Sequence, residues 1–155
     1  MEQNQQENII FNIEKIYIKD ISYEAPSVPS AFIQAQNAAA EIGVQLGVEH
    51  GAFNPEQGIY EVALTVTATA KREDKNLFLV EVKQAGIFRI GGVDGDTLRK
   101  ALEISCASVL LPFVRETIND LVGRGGFPQL LISPINFEAL YEQKLAAQVN
   151  PPSIN

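Results

Sequence analysis

In the stretch Lys19-Asp20-Ile21-Ser22-Tyr23-Glu24-Ala25-Pro26, three polar side chains alternate with apolar ones. Successive residues of an extended chain point to opposite faces, so Asp20, Ser22 and Glu24 share one side while Ile21 and Tyr23 share the other. A carboxylate pair performs acid/base chemistry only in a pocket that drives its two pKa values apart. On an open strand the same pair is either solvated surface or a charge for a basic partner. Other reactive groups are sparse. His50 is the only histidine and Cys106 the only cysteine, so neither can complete a metal set or a nucleophile pair with a second residue of its kind. His50, beside Gly51, reads as a surface turn residue, and Cys106 as a small buried thiol. Gly91, Gly92 and Gly95 follow a strand and precede a helix, as a nucleotide loop would. They lack both the GxGxxG spacing and a Gly-Lys-Ser/Thr ending, and read as a strand-to-helix turn. Among the acids, Glu116 alone is expected beside the core. These residues suggest no catalytic set, no cofactor and no metal site.

Composition narrows the partners. With 155 residues, 46% of them hydrophobic, the chain is expected to form one domain, 1–155, around one core. A net charge of -7 argues against nucleic acid and anionic membranes, because phosphates would be repelled. A basic protein partner fits that balance. One cysteine forms no internal disulfide, and Met1 to Asn8 has neither a basic start nor an apolar h-region, so the expected compartment is the cytosol. The run from Ile104 to Val114 is too short for the roughly 20 residues of a membrane span. No insertion into the membrane is expected.

The elements that would position these residues follow from periodicity. Residues 1–8 and 148–155 are polar or proline-containing and are expected as flexible tails. Ile9, Phe11 and Ile13 lie at odd positions but Ile16 and Ile18 at even ones, a phase slip that predicts a β-bulge near Glu14. Ile42, Val44, Leu46 and Val48 form a second strand. A third, Tyr60 to Thr69, joins a fourth, Leu77 to Ile90, through the turn Glu73-Asp74-Lys75-Asn76. On the fourth, Leu79 and Glu81 point outward. The period then changes to 3.6. One helix is capped by Asp94 or Asp96 and broken or kinked at Pro112, and a second, capped by Ser108, stops at Gly123-Arg124-Gly125-Gly126. A third begins at the cap Asn136 and carries Phe137, Leu140, Tyr141 and Leu145. Strands first and helices afterwards give an α+β fold, a four-stranded antiparallel sheet with helices packed on one face.

Several long motifs then appear in a recognisable order. Ile16 to Pro26, Tyr60-Glu61-Val62 with its threonine-rich strand, Gln84-Ala85-Gly86-Ile87-Phe88, Leu111-Pro112-Phe113-Val114-Arg115-Glu116, Arg124-Gly125-Gly126-Phe127-Pro128-Gln129-Leu130 and Pro134 to Tyr141 resemble the SecB protein-export chaperones over residues 9–146. The resemblance implies a non-enzymatic cytosolic holdase. Such a protein assembles as a homotetramer, a dimer of dimers, binds unfolded secretory preproteins and passes them to the SecA translocase ATPase. It implies that Asp20, Glu24, Leu79 and Glu81 bind the basic, zinc-carrying tail of SecA, the zinc belonging to the partner. It also implies a client groove lined by Phe32, Ile42, Val44, Leu46, Phe137, Leu140 and Tyr141. Where the family commonly has Trp-Pro, this chain reads Gln34 to Ala40, and Gly43 and Gly47 replace larger residues. Two rivals differ in class. A hot-dog-like acyl hydrolase would place an acid or histidine at the helix entrance, where Ser105 to Val114 has neither, and a SecB-like chaperone of a regulatory system would differ only in its clients.

Overall fold

Alternating apolar residues build four long strands: β1 (Ile10–Glu24), β2 (Glu41–Asn54), β3 (Ile59–Arg72) and β4 (Lys75–Gly91). They form one antiparallel sheet in the order β1-β4-β3-β2, so β1 and β2 are its edges. The computed structural model describes residues 8–33 and 39–149, and Gln34 to Asn37 and Ala38 lie outside it, as do nearly all residues of the expected tails. Gln148 and Val149, assigned to the second tail, instead end a helix. No helix among the described residues is long and apolar enough to cross a membrane.

Two register shifts interrupt the pairing of β1 with β4, one between Ile13 and Lys15 and one between Ile18 and Asp20. The first is the bulge expected at Glu14. The second, at Lys19, returns Ile21 and Tyr23 to the face that carries Ile16 and Ile18. The β3–β4 turn is tighter than expected, with only Glu73 and Asp74 between the paired Arg72 and Lys75, both at positive φ (50° and 64°). That geometry matches the right-handed twist of the strands it joins.

The helices differ from expectation in one respect. α2 (Gly95–Lys100), a π turn at Ala101–Cys106 and α3 (Ala107–Arg124) run without a gap, with Pro112 inside α3. Pro112 and Ser108, whose carbonyl would have received the missing N–H, are both exposed, so the proline ring and the freed carbonyl are tolerated on the solvent side and the helix does not break. Ser108 is no cap: its hydroxyl donates to the Ile104 carbonyl at 2.7 Å. α3 ends where the glycines stand. The Gly125 N–H donates to Leu121 at 2.9 Å, Gly126 adopts φ +86°, and a Cβ at Gly125 would collide with Tyr23 Oη. A short helix α1 (Ser30–Ile33) follows β1, and α4 (Phe137–Val149) starts with Asn136 Oδ1 accepting from the Ala139 N–H at 3.0 Å.

The core lies between α3 and the two central strands. Val62, Leu64, Val66, Val80, Val82 and Phe88 from the sheet meet Leu110, Val114, Ile118 and Val122 from α3, all nearly inaccessible. No residue of β2 is buried. The same sheet face is therefore covered in its middle and bare at its two edges.

Candidate functional site

Cross-strand register shows which side chains share each face. Glu24 pairs with Leu79, Ser22 with Glu81 and Asp20 with Lys83, and Leu79 and Glu81 pair in turn with Thr69 and Thr67. The four residues expected at a docking face thus come together on the side of the sheet away from the helices. Asp20, Glu24 and Glu81 are exposed, and Leu79 is half-buried among them. Cations on this face are engaged elsewhere: Lys19 Nζ meets Glu61 at 2.8 Å, Lys83 Nζ meets Glu49 at 3.4 Å and Arg89 Nε meets Glu14 at 2.8 Å. Asp20, Glu24 and Glu81 pair with no cation among the described residues, and Glu81 accepts only from the Thr67 hydroxyl at 2.8 Å. The result is a local negative field around one apolar side chain, with no pocket for acid/base work.

The far end of this face is built differently. The Tyr17 hydroxyl donates to Glu61 Oε2 and Lys19 donates to Oε1, so a bridge from β1 crosses β4 to β3 beside the fully buried Ala85. Burial pushes the Tyr17 phenol up to about 12, with the Glu61 hydrogen bond and charge adding to it. Hydrogen bonds from Lys19 and Tyr17 hold the Glu61 carboxyl below its ordinary value.

On the opposite face an apolar track runs along β2. Ile42, Val44, Leu46 and Val48 pair with Ala70, Ala68, Val66 and Leu64, so their side chains point toward the helix side. Ile42 and Val44 are 45% and 39% exposed, and Leu46 and Val48 enter a pocket of about 250 Å³ beneath α4. Phe137, Leu140 and Tyr141 wall that pocket. Phe137 and Tyr141 are themselves buried, and Tyr141 Oη donates to Asp96 Oδ1 at 2.9 Å, which lowers the Asp96 pKa. Asp96 therefore anchors α4, while Asp94 stands at the N-cap without a side-chain bond. Phe32 lies at the other end of the track. It is half-exposed and packs against Phe127 with ring centroids 4.9 Å apart and planes tilted by 46°; Phe127 meets Phe78 at 5.3 Å, and Phe78 shares a cross-strand row with Ala70 and Ile42. All seven expected groove residues thus lie along one face, with only Leu46, Phe137, Leu140 and Tyr141 in a single pocket. A side chain at Gly43 would point to the other face and meet nothing.

Two sequence readings change here, those of His50 and Glu116, while Cys106 is the buried thiol expected. His50 lies within β2, not in a turn, with Nε2 3.6 Å from Glu103 Oε1. Glu116 is exposed; the acid beside the core is Glu103, in the π turn, whose Oε1 also accepts from Lys144 Nζ at 2.7 Å. Residues 106, 107, 110 and 114 that follow Glu103 at helical spacing are all apolar, a signal that could have placed it on the covered stripe. Cys106 is buried, and desolvation raises its thiol to about 12. Among the described residues no three His, Cys, Asp or Glu side chains gather as a metal site requires.

Comparison with known proteins adds to this geometry. A family model described as preprotein translocase subunit SecB matches residues 2–148. The protein-export protein SecB of Nitrosomonas europaea is 48% identical over 141 residues, covering 90% of this chain and 85% of that one. The protein of the same name from Dechloromonas aromatica is 44% identical over 153 residues, 99% of this chain and 97% of that one. Among solved structures, a Mycobacterium tuberculosis SecB-like chaperone in complex with a ChAD peptide from the HigA1 antitoxin superposes with a TM-score of 0.66 at 16% identity, over 81% of this chain and 90% of that chain. That likeness is one of fold.

Proposed function

The chain belongs to the SecB family of protein-export chaperones, and from that premise we propose that it is a cytosolic holdase for unfolded secretory precursors. The observation that carries this reading is the track along β2. It leaves Ile42, Val44 and Phe32 open to water and continues into a pocket under α4. Native proteins have already buried their large apolar side chains, so such a track favours chains that have not folded. Binding there requires no covalent step, which accords with a chaperone and not with an acyl hydrolase.

The acidic patch supports delivery. Asp20, Glu24 and Glu81 around Leu79 suit a basic tail such as that of SecA: the rim charges steer the encounter, and burial of Leu79 would add about 1.5 to 3 kcal/mol. The patch and the track lie on opposite faces, so one molecule holds a client and meets the translocase at once. A homotetramer fits the remaining exposed surface. Ile10, Phe11, Ile13, Ile18 and Ile21 on β1 are open, and a shallow depression of about 1010 Å³ lies between β1 and α3, lined by Ile18, Ile21, Arg115 and Asn119. Copies of the chain would cover the isoleucines.

The test has two arms. Photocrosslinking of a denatured precursor should label Ile42 to Leu46 and α4; labelling confined to the termini rejects the track. The substitutions Asp20→Lys and Glu24→Lys together should weaken SecA binding at least tenfold by calorimetry, and unchanged heats reject the docking face.

A further inference from the structure

The β3–β4 hairpin closes on two cations. Arg72 and Lys75 are the last paired residues before the turn and stand directly opposite one another, a relation in which like charges repel. Nothing offsets that repulsion. Neither residue has an ion-pair partner among the described residues, and Glu73, in the turn between them, pairs with neither. In a chain with 19 acids against 12 lysines and arginines, two facing cations left without a counter-charge call for a reason.

Both cations line a pocket of about 40 Å³ under the connection from β1 to α1, where buried Leu77 and the hydroxyl-bearing Ser27 and Ser30 complete the wall. Arg72 Nε is buried and has no hydrogen-bond partner. A buried donor left unpaired costs free energy, and few native donors are left so. The pocket is therefore small, cationic and short of an acceptor. It shares no residue with the acidic face or the β2 track. We propose that it binds a carboxylate, held between the Arg72 guanidinium and the Lys75 ammonium.

The free donors set the ligand. Ser27 Oγ donates to the Asn76 carbonyl at 2.6 Å and Ser30 Oγ to the Ser27 carbonyl at 2.8 Å, so both hydroxyl protons are engaged. Only the guanidinium and the ammonium still offer protons. The guanidinium edge formed by Nε and the adjacent nitrogen matches the two oxygens of a planar carboxylate, and Lys75 adds a second charge from the facing strand. A phosphate or sulfate brings more oxygens than these donors serve and more bulk than the pocket admits. Binding would also relieve the repulsion across the last rung of the hairpin. The carboxylate can come from a free small acid or from an acidic side chain of a peptide.

The test is a nuclear magnetic resonance titration of the full chain, labelled with nitrogen-15, at fixed pH and ionic strength. Sodium acetate should shift the Arg72 Nε–H resonance and the Ser30 and Ala31 amides saturably; sodium phosphate should do so only at higher concentration, and sodium chloride not at all. Arg72→Gln should abolish the amide shifts, Lys75→Met should weaken acetate binding about threefold, and Lys71→Met, outside the pocket, should leave it unchanged. If Arg72→Gln does not fold, Lys75→Met decides. A blocked tripeptide with a central glutamate identifies the source: tighter binding than acetate assigns the site to an acidic segment, and binding no tighter assigns it to a free acid. No saturable shift, as when water alone fills the pocket, overturns the proposal. So does phosphate binding tighter than acetate, equal binding of the glutamine tripeptide, or an affinity unmoved by Lys75→Met.

Discussion

The two edge strands both expose large apolar residues, five on β1 and three on β2, but are held in different ways. β1 is fastened across its neighbours. Its two bulges project Glu14 and Lys19 toward Arg89 and Glu61, and Tyr17 joins the same carboxylate. β2 has a shift only near its end, between Ala52 and Asn54, and a single ion pair, Glu49 with Lys83, links it to the interior of the sheet. A side chain at Gly43, Gly47 or Gly51 would meet nothing. Three glycines within a strand weaken it by roughly 0.5 to 1 kcal/mol each relative to alanine. One edge is thus fixed in register and suited to a defined interface, and the other is yielding and suited to many sequences.

The sharpest way to break this contrast is to exchange the consequences of charge on the two edges. Ile18→Asp with Ile21→Asp on β1 should lower the native mass from the assembled state to smaller species. Ile42→Asp with Val44→Asp on β2 should retain that mass and reduce capture of a denatured precursor at least tenfold, since each buried aliphatic side chain is worth about 1.5 to 3 kcal/mol. The reverse pattern would end the comparison.

A smaller effect tests the fastening of β1. Tyr17 has a raised pKa in the folded protein, so its contribution is complete below the ordinary value of 10.0 and is lost as pH rises toward about 12. Glu61 is depressed, so its contribution is present above the ordinary value of 4.5 and is lost as pH falls through the lower folded value. Stability measured in urea should therefore decline at both ends of the pH range. Tyr17→Phe should reduce the alkaline part of that decline, the buried Cys106 thiol keeping a share of it, and an unchanged slope between pH 10 and 12 would show that the bridge does not matter.

The smallest effect concerns the β3–β4 turn. Asp74→Gly relieves a left-handed conformation at φ 64° and should stabilise the fold by about 0.5 kcal/mol. A lower melting temperature would contradict this. The variant leaves both edges untouched and so calibrates the larger changes.

How much of this the sequence disclosed depends on the kind of signal. Alternation locates strands and faces, and the phase slip at Glu14 and the caps at Asn136 and Gly125 are local chemistry that a linear reading captures. The second phase change, from Ile18 to Ile21, stood in the same pattern and is what turns Lys19 toward Glu61. The π turn left no compositional trace, because one extra residue per turn alters the helix face without altering residue types. Periodicity also reports which residues are apolar but not what covers them. The acids of the proposed docking face were therefore legible as a group, whereas the covering of Glu103 by α4 depends on residues far apart in the chain.

The long, two-residue hairpin between β3 and β4 has one more consequence. Ile10 pairs with Gly91 and Glu24 with Leu79, so no part of β1 can find its partner before synthesis has reached Leu79. Local pairings form early and distant ones late. During translation the isoleucine-rich first strand therefore waits without its partner, in the same condition as the clients proposed for the β2 track.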